Sequence, residues 1–322
     1  MIRKSKVKSQ KSKGILFLVI FLCLAGWVLS ILWIERSNQI VLKKIDQLSN
    51  RLLSLEERLK EKEKTKEKVS LSIPKEESPS FEKPSLPIEP SIPEGGPPCK
   101  IAIILDDAGY KLSNDSLNLI KNGFPLTISI LPHLPFSKET AEIVRNNGGE
   151  VMLHLPMEAK NGIGGTEGVI KSDMTQEKIK EITEKAIESI PYCVGVNNHM
   201  GSKATSDKET MEPVLSVIKE KNLYFVDSLT SSKSIAYKLA KDMGLKAGKR
   251  DIFIDNNNEE SFVLFYLQQL IKVARKKGSA IGIGHIYKKA TISVLERELP
   301  NLQNAGIELV PVSSLVKQEK ND

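Results

Sequence analysis

The chain has 322 residues and carries 47 Lys and Arg against 40 Asp and Glu, for a formal net charge of +7. That length exceeds one small domain and suits a single large domain with attachments. The basic excess sits at the start, where residues 1–13 hold Arg3, Lys4, Lys6, Lys8, Lys11 and Lys13 and no acid. Beyond the apolar run that follows, charge is nearly balanced, which argues against a nucleic-acid-binding domain.

Residues 14–34, "GILFLVIFLCLAGWVLSILWI", contain no charged side chain. As a helix they span about 31 Å, close to the roughly 30 Å of a bilayer's hydrocarbon core. A cleaved signal peptide usually has a shorter apolar core, so an uncleaved anchor is the expected reading. The basic flank then puts residues 1–13 in the cytoplasm and the rest of the chain across the inner (cytoplasmic) membrane, in a periplasmic or similar compartment. Within residues 35–69, Val41, Ile45, Leu48, Leu52, Leu55 and Leu59 form a heptad seam, which predicts a short coiled coil and a homodimer. Residues 70–98 hold eight of the sixteen prolines among Ser, Glu and Lys. Such a composition cannot build a core and reads as a spacer of roughly 60–80 Å.

A domain is expected over residues 99–318. Short aliphatic runs, "KIAIIL", "LTISIL", "GEVMLHL", "CVGVNN", "LYFVDS", "RDIFID", "SAIGIG" and "IELVPV", alternate with amphipathic stretches such as 178–190, 209–222 and 261–277. Apolar strands separated by helices predict a parallel sheet covered by those helices. Some eight units in about 220 residues suit a distorted (β/α) barrel of seven to eight strands. No glycine-rich phosphate loop follows the first run. Cys99 and Cys193 each open a strand, and outside the cytoplasm a disulfide between them is chemically allowed.

In such barrels reactive side chains gather where strands end. The first run ends at Asp106 and Asp107, the third at His154 and Glu158, and the fourth at Asn197, Asn198 and His199. The fifth ends at Asp227, the sixth at Asp255 and the seventh at His285. Singly, each has a structural reading: Asp255 is expected to begin a helix, and His133, between prolines, to be a loop residue. Together, imidazoles and carboxylates on one rim are the ligand set of a divalent metal such as zinc. A catalytic zinc keeps a place for water and lowers its pKa to about 7, and a second carboxylate then serves as base.

The strings "ILDDAGY", "GGEVMLHLPME", "GVNNHMGS", "FVDSLTSS" and "GSAIGIGH" resemble the divergent polysaccharide deacetylase family, a branch of the NodB-homology carbohydrate esterases. The resemblance covers about residues 99–316. It implies removal of acetyl groups from N-acetylated sugars of envelope polysaccharide by metal-activated water, with Asp106 as base and Asp107 and His154 as ligands. His285 is implied as the acid for the leaving amine. Glu158 stands where the wider superfamily has its second ligand His, so the preferred set is Asp107, His154 and His199, with Glu158 as alternative. The superfamily's Arg that orients the base has no counterpart in "GVNNHMGS", which leaves Asn197 or Asn198 to position substrate or an oxyanion. Asp227 is expected to orient His285 or another imidazole. The alternative is an inactive glycan- or protein-binding scaffold.

Overall fold

The computed structural model describes residues 96–160 and 168–316. The chain divides into two units, Met1–Glu82 and Lys83–Asp322, and every described residue lies in the second. The expected cytoplasmic tail, membrane anchor and coiled coil, and the spacer up to residue 95, lie outside the described residues. Among those that are described, no helix is long and apolar enough to cross a membrane.

The elements alternate as the runs suggest: β1 Cys99–Ala108, α1 Asn114–Lys121, β2 Thr127–Ile130, α2 Ser137–Asn146, β3 Glu150–Met157, α3 Gln176–Ser189, β4 Gly195–Met200, α4 Lys208–Glu220 and β5 Tyr224–Asp227. They continue with α5 Ala236–Asp242, β6 Ala247–Lys249, β7 Ile252–Phe253, α6 Glu260–Lys277, β8 Ser279–His285, α7 Lys289–Glu298 and β9 Ile307–Leu309. Helix starts follow from side chains that accept the orphan backbone N–H groups. Ser113 accepts from Ser116 N, Thr175 from Lys178 N and Asp207 from Thr210 N.

All ladders are parallel, and eight strands run in the order β6-β5-β4-β3-β2-β1-β8-β7. The ninth, β9, pairs with Cys99–Ile101 at the start of β1. The barrel is incomplete, because no ladder among the described residues joins β6 to β7. The gap is crossed by the chain itself: Arg250 N donates to Asp227 O of β5 and Asp251 N to Ile281 O of β8. The run "RDIFID" supplies only a two-residue strand, and β6 was not readable as a run because "AGK" has neither apolar continuity nor branched side chains. Cys99 and Cys193 are separate free thiols.

Strand parity divides the core in two. Ile101, Ile103 and Leu105 of β1 pack with the helices, together with Leu153, Val196 and Phe225. Ala102 and Ile104 face the barrel interior with Met152, Tyr224, Val226, Ile281 and Ile283. In the interior, Tyr224 donates its hydroxyl hydrogen to Glu150 Oε1 at 2.7 Å, and its ring fills the space above Gly195. A Cβ on Gly195 would lie 2.2 Å from that ring. Gly195→Ala should therefore lower unfolding stability by about 1–3 kcal/mol, the usual cost of overpacking, as read by urea denaturation.

Candidate metal centre

Adjacent residues of a strand point to opposite faces, so Asp106 and Asp107 can share a site only if β1 breaks its own pattern. It does so at this point. The β1–β2 register shifts between Leu105 and Ala108, and Asp107 adopts φ 64°, a left-handed conformation that Asp tolerates better than most residues. Gly109 follows at φ 119°, where a Cβ would meet Ser137 Oγ at 3.0 Å and Leu131 O at 3.2 Å. The bulge turns the second carboxylate back towards the interior that Asp106 faces by parity.

The carboxylate of Asp107 meets two imidazoles there. His154 Nε2 lies 3.2 Å and His199 Nδ1 3.0 Å from Asp107 Oδ1, and the two nitrogens are 3.1 Å apart. Oδ1 is buried yet receives no well-aligned hydrogen bond. Tetrahedral bonds of 2.0–2.1 Å separate neighbouring ligands by about 3.3–3.4 Å, close to the edges of this triangle. Among the described residues, Asp107, His154 and His199 are the one group of such side chains gathered closely enough to hold a divalent ion, and two nitrogens with one oxygen suit zinc.

The polar groups around the triangle fix its chemistry. Asn197 is fully buried and donates from Nδ2 to Asp106 Oδ1 at 2.9 Å. Its Oδ1 therefore faces His154 Nδ1 at 2.7 Å and accepts from Ser129 Oγ at 2.5 Å. An amide oxygen only accepts, so His154 Nδ1 carries a proton, and in the neutral imidazole Nε2 offers its lone pair to the site. Burial alone would push the His154 pKa down, but the charges of Asp106 and Asp107 outweigh it and raise it to about 9. Asp107 goes the other way: burial opposes its charge, yet the two imidazoles beside it hold its carboxyl well below the usual range. Asp106 is 3 % exposed, and burial keeps its pKa raised despite His154 and the Asn197 hydrogen bond.

His285 completes the rim on β8, paired with Asp106 in the ladder, its Nε2 4.0 Å from Asp107 Oδ2. Its Nδ1 lies 2.9 Å from Asp255 Oδ1, its backbone N donates to Asp255 Oδ2 at 2.7 Å, and Thr291 Oγ1 donates to the same oxygen. Asp255, expected to start a helix, instead orients this imidazole. Burial opposes the Asp255 charge, but His285, Lys288 and Thr291 keep its pKa lowered. Phe253 stacks on the His285 ring at 6.2 Å, and the Arg250 guanidinium lies over the opposite partner of that stack, 3.7 Å from the Phe253 centroid.

Three expected site residues work elsewhere. Asp227 is one position past the inward-facing Val226 and so points to the helices, where it accepts from Ser234 Oγ, Tyr237 N and Leu229 N. It does not contact His285. Glu158 accepts from Ser172 N, Ser172 Oγ and Lys203 Nζ; these contacts lower its pKa to about 2, and it lies outside the donor triangle. Asn198 lies two positions past the helix-side Val196, and both ends of its amide hold backbone there, one hydrogen donated to Met200 O and the oxygen accepting from Ser228 N. His133 lies in an exposed loop.

An incomplete parallel barrel whose strand ends carry a two-imidazole, one-carboxylate cluster defines the class of protein. The particular family follows from comparison: the model of the divergent polysaccharide deacetylases matches residues 103–316, and the chain belongs to that family. Its relatives include the uncharacterized protein YibQ of Escherichia coli, 35% identical over 223 residues, 69% of each chain. An uncharacterized protein of Haemophilus influenzae is 34% identical over 221 residues, covering 69% of this chain and 78% of that one. A solved structure of an uncharacterized protein from Agrobacterium tumefaciens shares the fold, with TM-score 0.63 at 23% identity over 70% of this chain and 93% of that one.

Two outcomes follow for zinc. With His154 protonated below about pH 9 and Asp107 ionised, binding expels one proton. Apparent affinity should then rise about tenfold per unit between pH 7.0 and 8.5, in titrations against a competing chelator. In the same assay Asn197→Ala should weaken binding by about 10–100-fold, while Glu158→Gln leaves it unchanged.

Proposed function

We propose that the protein is a membrane-tethered, divalent-metal-dependent deacetylase acting on N-acetylated sugars of envelope polysaccharide. The observation that carries this reading is the donor triangle of Asp107, His154 and His199, flanked by a buried carboxylate and by an imidazole with its own carboxylate partner. Family membership supports the acetylated glycan as substrate class. The uncharged stretch at residues 14–34 and the proline-rich spacer support an anchored protein whose substrate lies beside the inner membrane.

A bound ion of the zinc type would supply Lewis acidity and a strongly acidified water. The chain's own groups divide the proton transfers. Asp106 is suited to take a proton from water, because burial makes it more basic than an ordinary carboxylate and Asn197 fixes its orientation. His285 presents Nε2 to the site, since Nδ1 is bonded to Asp255, and is suited to protonate the amine nitrogen as its bond to the acetyl carbon breaks. One water is consumed and acetate and a free amine result. Asn198 has no part in this scheme.

The full-length protein loaded with zinc should release acetate from N-acetylated chitooligosaccharides. Asp106→Asn and His285→Ala should each lower kcat by about 10²–10⁴-fold while retaining metal. Acetate release from the wild type no greater than from Asp106→Asn, with zinc, cobalt and manganese alike, is the result that refutes the reading.

A further inference from the structure

A cavity of about 610 Å³ lies at the end of the barrel opposite the donor triangle, where β1, β8 and β9 begin. Pro98, Phe124, Pro125, Leu299, Pro300 and Leu309 give it an apolar lining. The charged pair beside them, Lys100 and Glu308, is closed on itself at 3.1 Å. The volume falls within the range of about 300–1,000 Å³ that takes a ligand or several side chains. Pro98 belongs to the chain's own entry into β1, so the residues that precede Gly96 start from the mouth of this cavity.

Residues 84–93, "PSLPIEPSIP", carry prolines at 84, 87, 90 and 93. Three residues make one turn of a polyproline helix, so this spacing would set the four prolines along one edge. Leu86 and Ile92 fall together on a second edge and Ile88 on the third. A spacer that only bridges water needs no such side chains, and Lys, Glu and Thr suffice in "EKEKTKEK" at 61–68. Grooves lined by aromatic side chains take up polyproline edges, and Phe124 supplies the ring here. Between segment and domain stand Glu94, Gly95, Gly96 and Pro97. The chain bends at Gly96 and Pro97, and Gly96 has φ 113°, a conformation open to glycine. A Cβ on Gly96 would come 2.9 Å from the Arg275 guanidinium. With so short a connection, docking is intramolecular at an effective concentration on the order of millimolar, and a weak contact suffices.

We propose that residues 84–93 fold back as a polyproline segment into this cavity and form part of the folded domain. The free length of the spacer then shortens by about 31 Å, at about 3.1 Å per residue, and its docked part lies at the barrel end away from the donor triangle. The test uses detergent-solubilised full-length protein with a benzophenone amino acid in place of Gln303, an exposed residue of the cavity wall. Irradiation should attach position 303 to a peptide within 84–93 of the same chain, as read by mass spectrometry. Replacing Leu86→Ser, Ile88→Ser and Ile92→Ser together should lower that product about tenfold. Hydrogen exchange in the chain without the benzophenone should report the same contact. The triple serine variant should exchange about tenfold faster than the parent over residues 299–309 and equally over 279–285. Attachment to a second copy of the chain, or none within 84–93, overturns the proposal. So does a product that the serines leave undiminished, or equal exchange over 299–309 in the two proteins.

Discussion

The rim depends on charge matching among groups that water scarcely reaches. Asp106 and His154 are almost completely buried, with Asp107 close by, and an ionised carboxylate in such a place is costly unless something positive shares it. The fold supplies the positive partner in the form of imidazole. His154 answers to both aspartates at once, which is why its pKa rises to about 9 against the opposing effect of burial. A divalent ion would satisfy the same electrostatic demand with more charge and would require the proton to leave. A proton and a divalent ion would compete for this one place, which would tie metal affinity to pH through His154.

Strand parity explains who belongs to that place. Ala102 and Ile104 face the interior, and Asp106 is the next inward step on β1. Met152 leads to His154 on β3, and Ile281 and Ile283 lead to His285 on β8. On β5 the inward residue is Val226, so Asp227 falls on the helix side. Asp107 is the exception, and the bulge with its left-handed backbone is what admits it. Sites at strand ends are positioned by the periodicity of the sheet itself, and only the deviation needs a special device.

Much of this was legible in the residues. The eight aliphatic runs, the helices between them, the two acids, the two imidazoles that gather at Asp107 and His285 at the rim are legible directly. The parity of Asp227 was also readable, since "YFVD" has an inward valine immediately before it, but a strand-end aspartate was weighed by position alone. Asp255 differs from its expectation because "DNNNEES" has the composition of a helix start, whereas the helix begins at Glu260 and the four intervening residues form the bend that leaves Asp255 beside His285. Glu158 was uncertain for a different reason: its partners Ser172 and Lys203 are distant in sequence, and no local pattern announces them. Ser129 carries no signal, as one of two hydroxyl residues in the four-residue strand "TISI".

The side chain hydrogen-bonded to Asp106 is the neutral amide of Asn197. An arginine beside Asp106 would hold its carboxyl low by full charge attraction. Asn197 offers one dipolar hydrogen bond and keeps its oxygen for His154, so burial prevails and Asp106 remains raised. A more basic carboxylate takes a proton more readily but is ionised over a narrower pH range. The same amide sets the His154 tautomer, so one neutral side chain orients both Asp106 and His154. Its replacement cannot be compensated by restoring charge alone, because a cation at this position would satisfy Asp106 while leaving the His154 Nδ1 proton without its acceptor.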